Sequence, residues 1–137
     1  METSKDIIGS NWTFHHVGVI VHDMDEAVRY YESLGIFAFQ PKFGARLRFA
    51  ELATHRVELI SPTQSLPIFK EFLETKGEGM HHMAFMVGDL DGETAKLEAK
   101  GIPAITKIKR PSGGGIAFFD IGKYGGVVIE LMESPSS

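Results

Sequence analysis

One segment of the chain occurs twice, and this repeat restricts the possible folds more than any other feature of the sequence. Each copy has a His-His pair that enters an apolar run, followed by an Asp-rich turn, and the two copies are 66 positions apart. The matched pairs are His15 with His81, His16 with His82, Val21 with Val87, Asp23 with Asp89, and Asp25 with Asp91. A repeat of this kind indicates an internal duplication. Two similar half-domains would then each bring one histidine to a shared place.

The residue pattern within each copy predicts the same order of elements. Alternating apolar residues predict a strand at 14–21, and apolar residues at helical spacing predict a helix at 24–33. A short run at 36–40, which Pro41 ends, comes next. Two alternating runs at 46–52 and 55–60 predict a hairpin, and 66–76 has the pattern of a helix. In the second half we expect a strand at 80–87, a helix at 89–100 and strands at 102–108, 116–121 and 127–132. The prediction is an α+β fold with two βαβββ modules (14–62 and 79–133), a connector helix within 63–78, and a single domain over 1–137.

Side chains alternate across a strand, so the faces of the predicted strands can be assigned. Val17, Val19 and Val21 are apolar and should lie under the first helix, which places His16 on the open face. Apolar neighbours on their own strands place Glu58, His82 and Glu130 on the open face in the same way. The donors that could converge, if the half-sheets enclose one cavity, are His16, Glu58, His82 and Glu130.

Each of these residues also has an ordinary interpretation. A strand histidine taken alone is usually structural, and a glutamate between apolar strand residues usually faces solvent. The pairing of the motifs across the duplication favours a joint site. His15 and His81 have the opposite parity, and we predict that they pack against the strands or support the donors.

Composition narrows the classes of partner. The net charge of −4 argues against a nucleic-acid binder. The sequence has no cysteine, so a metal would be bound by histidine, carboxylate, amide or backbone oxygen. It has no apolar run long enough to cross a membrane and no apolar segment at its start, so we expect a cytoplasmic protein.

Four stretches contain the predicted donors: His-His-Val-Gly-Val-Ile-Val (15–21), Val-Glu-Leu-Ile-Ser-Pro (57–62), Gly-Glu-Gly-Met-His-His-Met-Ala-Phe (77–85) and Gly-Gly-Val-Val-Ile-Glu-Leu (125–131). Together they resemble the vicinal oxygen chelate, or glyoxalase/bleomycin-resistance-like, superfamily. Within that superfamily they are most similar to methylmalonyl-CoA epimerases. The resemblance implies an open, barrel-like mixed sheet around a metal-binding cavity and, commonly, a homodimer. It carries the ligand role onto His16, His82 and Glu130, with Glu58 as a fourth ligand.

The implied cofactor is a divalent metal ion, and the ligand types do not choose among Co, Zn, Ni, Mn and Fe. Two adjacent open positions on an octahedral ion would fit two neighbouring oxygens of a substrate, such as an acyl-CoA or another vicinal-oxygen compound. We expect an isomerase that abstracts and returns a proton next to a carbonyl through a metal-stabilised enolate. The catalytic carboxylates would be Glu130 and Glu58. Basic residues predicted to hold an anionic substrate are Arg46, Arg48 and Lys109. The two arginines have the parity opposite to Leu47 and Phe49, so they would face the cavity with the donors.

One departure from the epimerase pattern leaves other functions open. Those enzymes resemble each other in a glutamate before the third strand, and here residues 40–46 read Gln-Pro-Lys-Phe-Gly-Ala-Arg, with no carboxylate. The second acid/base group is therefore not identified. The alternatives are a glyoxalase I-like lyase acting on a hemithioacetal, a non-haem iron dioxygenase, and a binding protein that holds a small molecule without chemistry.

Overall fold

The structure is a computed structural model that describes residues 8–35, 38–42, 47–52, 55–62, 66–122 and 126–135. The elements in chain order are β1 (Thr13–Ile20), α1 (Met24–Ser33), β2 (Gln40–Lys42), β3 (Leu47–Leu52), β4 (His55–Ile60), α2 (Pro67–Lys76), β5 (Gly79–Met86), α3 (Leu90–Ala99), β6 (Ala104–Lys109), β7 (Gly115–Asp120) and β8 (Val128–Glu133). The expected α+β class with two βαβββ modules is confirmed. The observed bounds lie within about two residues of the predicted ones, except for the short run predicted at 36–40, which lies partly outside the described residues and is followed by β2 at Gln40–Lys42. Within the described ranges, no helix has the length and apolar character needed to cross a membrane.

The chain divides into two compact units, and the first is His16–His82. Its strands are neighbours in the order β2, β3, β4, β1, with β1 parallel to β4 and the other pairs antiparallel. Its core lies between this sheet and α1. The buried members are Val21, Met24, Phe39, Ala50 and Leu59, and the half-buried residues packed on them include Val19, Ala27, Val28, Tyr31 and Val57. The prediction that Val19 and Val21 lie under α1 is therefore confirmed.

The second unit is Met1–His15 with Met83–Ser137. Its strands are neighbours in the order β5, β8, β7, β6, and β7 is antiparallel to both β8 and β6. Its core packs α3 on the sheet, and the buried members are Val87, Leu90, Leu97, Ala117, Phe119, Ile129 and Leu131. Trp12 packs on Phe85 with ring centroids 5.6 Å apart, and its indole N–H donates to Glu93 Oε1 at 2.8 Å. Trp12 thus attaches the residues before β1 to this unit. The single-domain assignment over 1–137 stays a prediction.

The duplicated residues start and end α1 and α3 in the same way. Asp23 Oδ1 accepts from the Glu26 amide at 3.0 Å, and Asp89 Oδ1 accepts from the Gly92 amide at 3.1 Å, so each aspartate caps its helix. The glycines that follow the helices, Gly35 and Gly101, have φ of 72° and 86°, a conformation that costs other residues energy. The repeated aspartates and glycines therefore determine where α1 and α3 begin and end.

Candidate metal centre

Three of the four predicted donors meet in the unit His16–His82. His16 comes from β1, Glu58 from β4 and His82 from β5, and their ligand atoms all lie within 4.8 Å of one another. His16 Nε2 is 3.3 Å from His82 Nε2 and 3.6 Å from Glu58 Oε1. Three donors that are far apart in sequence therefore lie close together in the structure, as the parity argument predicted.

Strand pairing explains why Glu58 reaches this place. Its neighbours Val57 and Leu59 pack in the core under α1, so Glu58 projects from the other face of β4. In the parallel pairing of β1 with β4, Glu58 lies opposite Gly18, two residues beyond His16. Glu58 keeps 12% of its side chain exposed, whereas His16 keeps 2%. The histidines are buried, and the carboxylate forms the more open side of the cluster.

Gly18 is the residue that makes room for the second histidine. A Cβ atom at this position would overlap Cε1 and Nε2 of His82 and would lie 2.8 Å from its Nδ1. Non-bonded heavy atoms attract best at about 3.5–4.0 Å, so any larger residue would push the His82 ring away. A glycine on β1 is therefore required for the ring to lie against the strand beside His16.

The donor set fits a divalent metal ion. Bonds from a metal such as zinc to imidazole nitrogen and carboxylate oxygen are about 2.0–2.2 Å long, so two ligand atoms on one ion lie roughly 3–4 Å apart. The separations of 3.3 Å and 3.6 Å fall in that range. Two imidazoles and a carboxylate form a mixed nitrogen and oxygen set that several divalent transition metals accept.

Aromatic rings surround the two histidines. Phe49 packs edge-on against His16 with ring centroids 5.8 Å apart, and Phe69 of α2 stacks on His82 at 6.1 Å. The sequence argument did not assign either phenylalanine to the site. The two-residue link of the predicted hairpin contained the signal for Phe49, because antiparallel pairing across it puts residue 49 opposite residue 58. For Phe69 the sequence offered only its place on the apolar face of a helix.

Glu130, the fourth predicted ligand, lies in the other unit. It is buried on β8 at 6% exposure and is paired across the sheet with Phe118. Its neighbours Ile129 and Leu131 pack in the core with α3, so Glu130 projects from the opposite face, as predicted. Its role as a ligand stays a prediction.

The prediction that Arg48 faces the same side as Glu58 is wrong. In the hairpin, Arg48 pairs with Leu59, whose side chain is in the core under α1, while Glu58 pairs with Phe49. Residues paired across an antiparallel sheet share a face, so Arg48 lies on the face opposite Glu58. Arg46, the other arginine of this prediction, lies outside the described residues.

The third predicted substrate contact, Lys109, is held in an ion pair. Its ammonium group donates to Asp91 Oδ2 at 2.9 Å, and Lys107 donates to Asp91 Oδ1 at 2.6 Å. The hydrogen bond from Lys107, followed by that from Lys109, lowers the pKa of Asp91 from the usual 3.8 to about 2. A contact between Lys109 and a substrate stays a prediction, and it would require this pairing with Asp91 to open.

A separate groove of about 620 Å³ lies in the same unit, on the side of α1. It is lined by the end of β1, the start of α1 and the turn at Glu78, and it includes Tyr30 and His22. Glu78 accepts a hydrogen bond from the His22 amide at 2.8 Å, which holds this turn against β1. The three donor side chains are not part of its lining, so the groove is distinct from the candidate metal centre.

The chain is similar in sequence to a known family and to a bacterial protein. The family model described as "Glyoxalase/Bleomycin resistance protein/Dioxygenase superfamily" matches residues 15–119. The uncharacterized protein YqjC of Bacillus subtilis (strain 168) is 29% identical over an alignment of 125 residues, which covers 86% of this chain and 89% of YqjC.

Two solved structures have the same fold. The hypothetical protein BH1468 of Bacillus halodurans C-125 superposes with a TM-score of 0.73 at 20% identity, covering 92% of this chain and 96% of that protein. Methylmalonyl-CoA epimerase from Mycobacterium tuberculosis superposes with a TM-score of 0.64 at 27% identity, covering 100% of this chain and 94% of the epimerase.

Proposed function

Because the chain belongs to the glyoxalase/bleomycin resistance protein/dioxygenase superfamily, we propose that it is a metal-dependent enzyme. Its reaction would remove and return a proton on the carbon next to a carbonyl group, in the manner of a methylmalonyl-CoA epimerase. The observation that carries the proposal is the cluster of His16, Glu58 and His82 ligand atoms within 4.8 Å. The 27% identity with the epimerase of M. tuberculosis supports the class of reaction and a small acyl-CoA as the class of substrate.

His16, Glu58 and His82 would hold the ion, with Glu130 as the fourth ligand. Two neutral imidazoles and two carboxylates balance the charge of a divalent ion, and this set suits Co, Zn, Ni, Mn or Fe. When bound, the ion would act as a Lewis acid on the negative charge that develops on a substrate carbonyl oxygen.

The chain's own residues would handle the proton. Glu130 would act as the base: the C–H bond next to the carbonyl breaks, the proton moves to the Glu130 carboxylate, and the electron pair moves toward the carbonyl oxygen. Glu130 is only 6% exposed, so little water competes with a substrate for this carboxylate. Returning the proton to the same face restores the starting stereocentre.

Inversion of the stereocentre requires a proton donor on the opposite face. Residues 40–46, where the related epimerases have a glutamate, contain no carboxylate in this chain. We therefore propose that exchange of the substrate proton with solvent is faster than inversion. A reaction in which the two rates are equal would instead require a second acid/base group from elsewhere in the chain.

The proposal is tested by deuterium wash-in. The purified protein, loaded with Co or Mn, is incubated with methylmalonyl-CoA in heavy water, and mass spectrometry follows the gain of one deuterium at the α-carbon. We expect metal-dependent exchange that is lost in Glu130→Gln. Gly88→Ala is the matched control, since a Cβ at Gly88 would meet nothing within 4 Å. Absence of exchange in the metal-loaded protein would contradict the proposal.

The same preparation separates the alternative functions. Conversion of the methylglyoxal–glutathione hemithioacetal without exchange of the thioester would indicate a glyoxalase I-like lyase. Oxygen consumption with an iron-loaded protein would indicate a dioxygenase, and bound ligand without any proton exchange would indicate a binding protein. The homodimer implied by the family stays a prediction, which sedimentation of the purified protein tests.

A further inference from the structure

A third histidine lies directly behind the candidate metal centre. His81 Nδ1 is 2.9 Å from His82 Nδ1, on the side of the His82 ring that faces away from His16. His82 thus meets a histidine at each ring nitrogen, Nε2 toward His16 and Nδ1 toward His81. His81 is 6% exposed, so this contact is buried.

Two phenylalanines of α2 fix the orientation of the His81 ring. Phe69 and Phe72 pack edge-on against it, with centroids 5.2 Å and 5.1 Å away and interplanar angles of 85° for both. Phe69 also stacks on the His82 ring at 21°. Helix α2 therefore contacts both histidines and does more than connect the two modules.

The contact between the two Nδ1 atoms couples their protonation. A neutral imidazole has one N–H donor and one acceptor nitrogen, so a hydrogen bond between two Nδ1 atoms needs the proton on one of them. If His82 presents the Nε2 lone pair to an ion, its proton is on Nδ1 and is donated to His81. The His81 proton must then be on Nε2. Ligands of metal ions commonly have their tautomer fixed by such an acceptor.

We propose that His81 is a positioning residue: it accepts the Nδ1–H of His82 and so holds the Nε2 lone pair of His82 toward His16 and Glu58. This inference rests on the proposed metal site for its purpose. The hydrogen bond itself can be tested in the protein without an ion.

The tautomers are measured by long-range 1H–15N correlation spectra of the metal-free protein, at a pH well above the usual histidine pKa. We expect His82 in the Nδ1–H form and His81 in the Nε2–H form, with peaks assigned from the spectra of His81 and His82 variants. The reverse pattern, with the proton on His82 Nε2, would overturn the proposal.

The effect on metal binding is measured by competition of zinc with a chelator. His81→Leu keeps an apolar side chain between the phenylalanines but removes the acceptor, and we expect zinc affinity to fall about 10–100-fold. His81→Asn, whose amide oxygen lies near the position of Nδ1, should restore most of that loss. His22→Leu, at an exposed histidine of the same unit, is the control and should bind zinc as the wild type does.

The outcomes separate the two proposals. Wild-type zinc affinity in a folded His81→Leu variant would overturn the positioning role. If the wild-type protein bound no zinc but showed the expected tautomers, the proposed metal-dependent function would fail while the hydrogen bond between the two histidines stood. If His81→Leu failed to fold, the spectra of the wild-type protein and the zinc affinity of His81→Asn would still test the positioning role of His81.

Discussion

Gly18 lies on β1, the strand that carries His16. Its replacement by alanine should disrupt the candidate metal centre. The new Cβ would lie 2.8 Å from His82 Nδ1 and closer still to two other ring atoms. To reach an ordinary contact of about 3.5 Å, the ring must retreat by roughly 1 Å. A metal–ligand distance tolerates only about 0.2 Å. His82 would therefore no longer share an ion with His16.

The magnitude follows from the two consequences of that displacement. Loss of a ligand costs at least as much affinity as loss of a supporting residue, so we expect zinc binding to weaken by roughly 100-fold or more. Overpacking of a buried position costs about 1–3 kcal/mol of the free energy of unfolding. For a chain of this size, a loss of about 2 kcal/mol lowers Tm by roughly 6–10 °C.

The assays are chelator competition for zinc affinity and thermal unfolding for Tm. Gly88→Ala is the matched control because its Cβ would enter open space, and its stability should stay within about 0.5 kcal/mol of the wild type. A folded Gly18→Ala variant that binds zinc with wild-type affinity would refute the reasoning, because it would show that the ring of His82 is not held against this strand.

Three further predictions concern other parts of the molecule. His82→Ala should remove bound metal and proton exchange while circular dichroism shows an intact fold; stoichiometric metal in this variant would count against the ligand set. Lys107→Met should raise the pKa of Asp91 from about 2 toward 3.8, as followed by carboxyl NMR. The pKa of Asp91 is lowered in the folded state, so the stabilising contribution of its carboxylate is complete above the unfolded pKa. That contribution is lost as pH falls through about 2. Leu59→Ala should cost about 2–5 kcal/mol in denaturant unfolding, whereas Leu34→Ala, at a residue 50% exposed, should cost under about 1 kcal/mol; equal losses would contradict the assigned core.

Much of the fold could be predicted because the duplication repeats its local signals. The capping aspartates and terminal glycines recur 66 residues apart, so the start and end of α1 predict those of α3. Alternation on β1 and β4 correctly assigned His16 and Glu58 to one face of the sheet, because Val57 and Leu59 could only be core residues. Local patterns of this kind depend on neighbouring residues and need no knowledge of long-range contacts.

The face predicted for Arg48 was wrong because it depends on the pairing between strands. Arg48 was assigned from its own neighbours, Leu47 and Phe49, on the assumption that apolar residues face the core. In fact the Phe49 ring packs against His16. The register of the hairpin determines the face on which Arg48 lies, and it contradicts the polarity pattern of β3. The contact of Phe69 with His82 depends on how α2 packs after the chain turns into β5, and the local residue pattern does not indicate it.

The central proposal is that His16, Glu58 and His82 bind one divalent ion, with Glu130 as the proposed fourth ligand. The most direct test is the anomalous difference map of a crystal of the protein loaded with zinc or cobalt, recorded at the absorption edge of the metal. The account predicts one peak per chain, with Nε2 of His16 and His82 and carboxylate oxygens of Glu58 and Glu130 at about 2.0–2.2 Å from it. A metal bound elsewhere, or no metal between these side chains, would contradict the account.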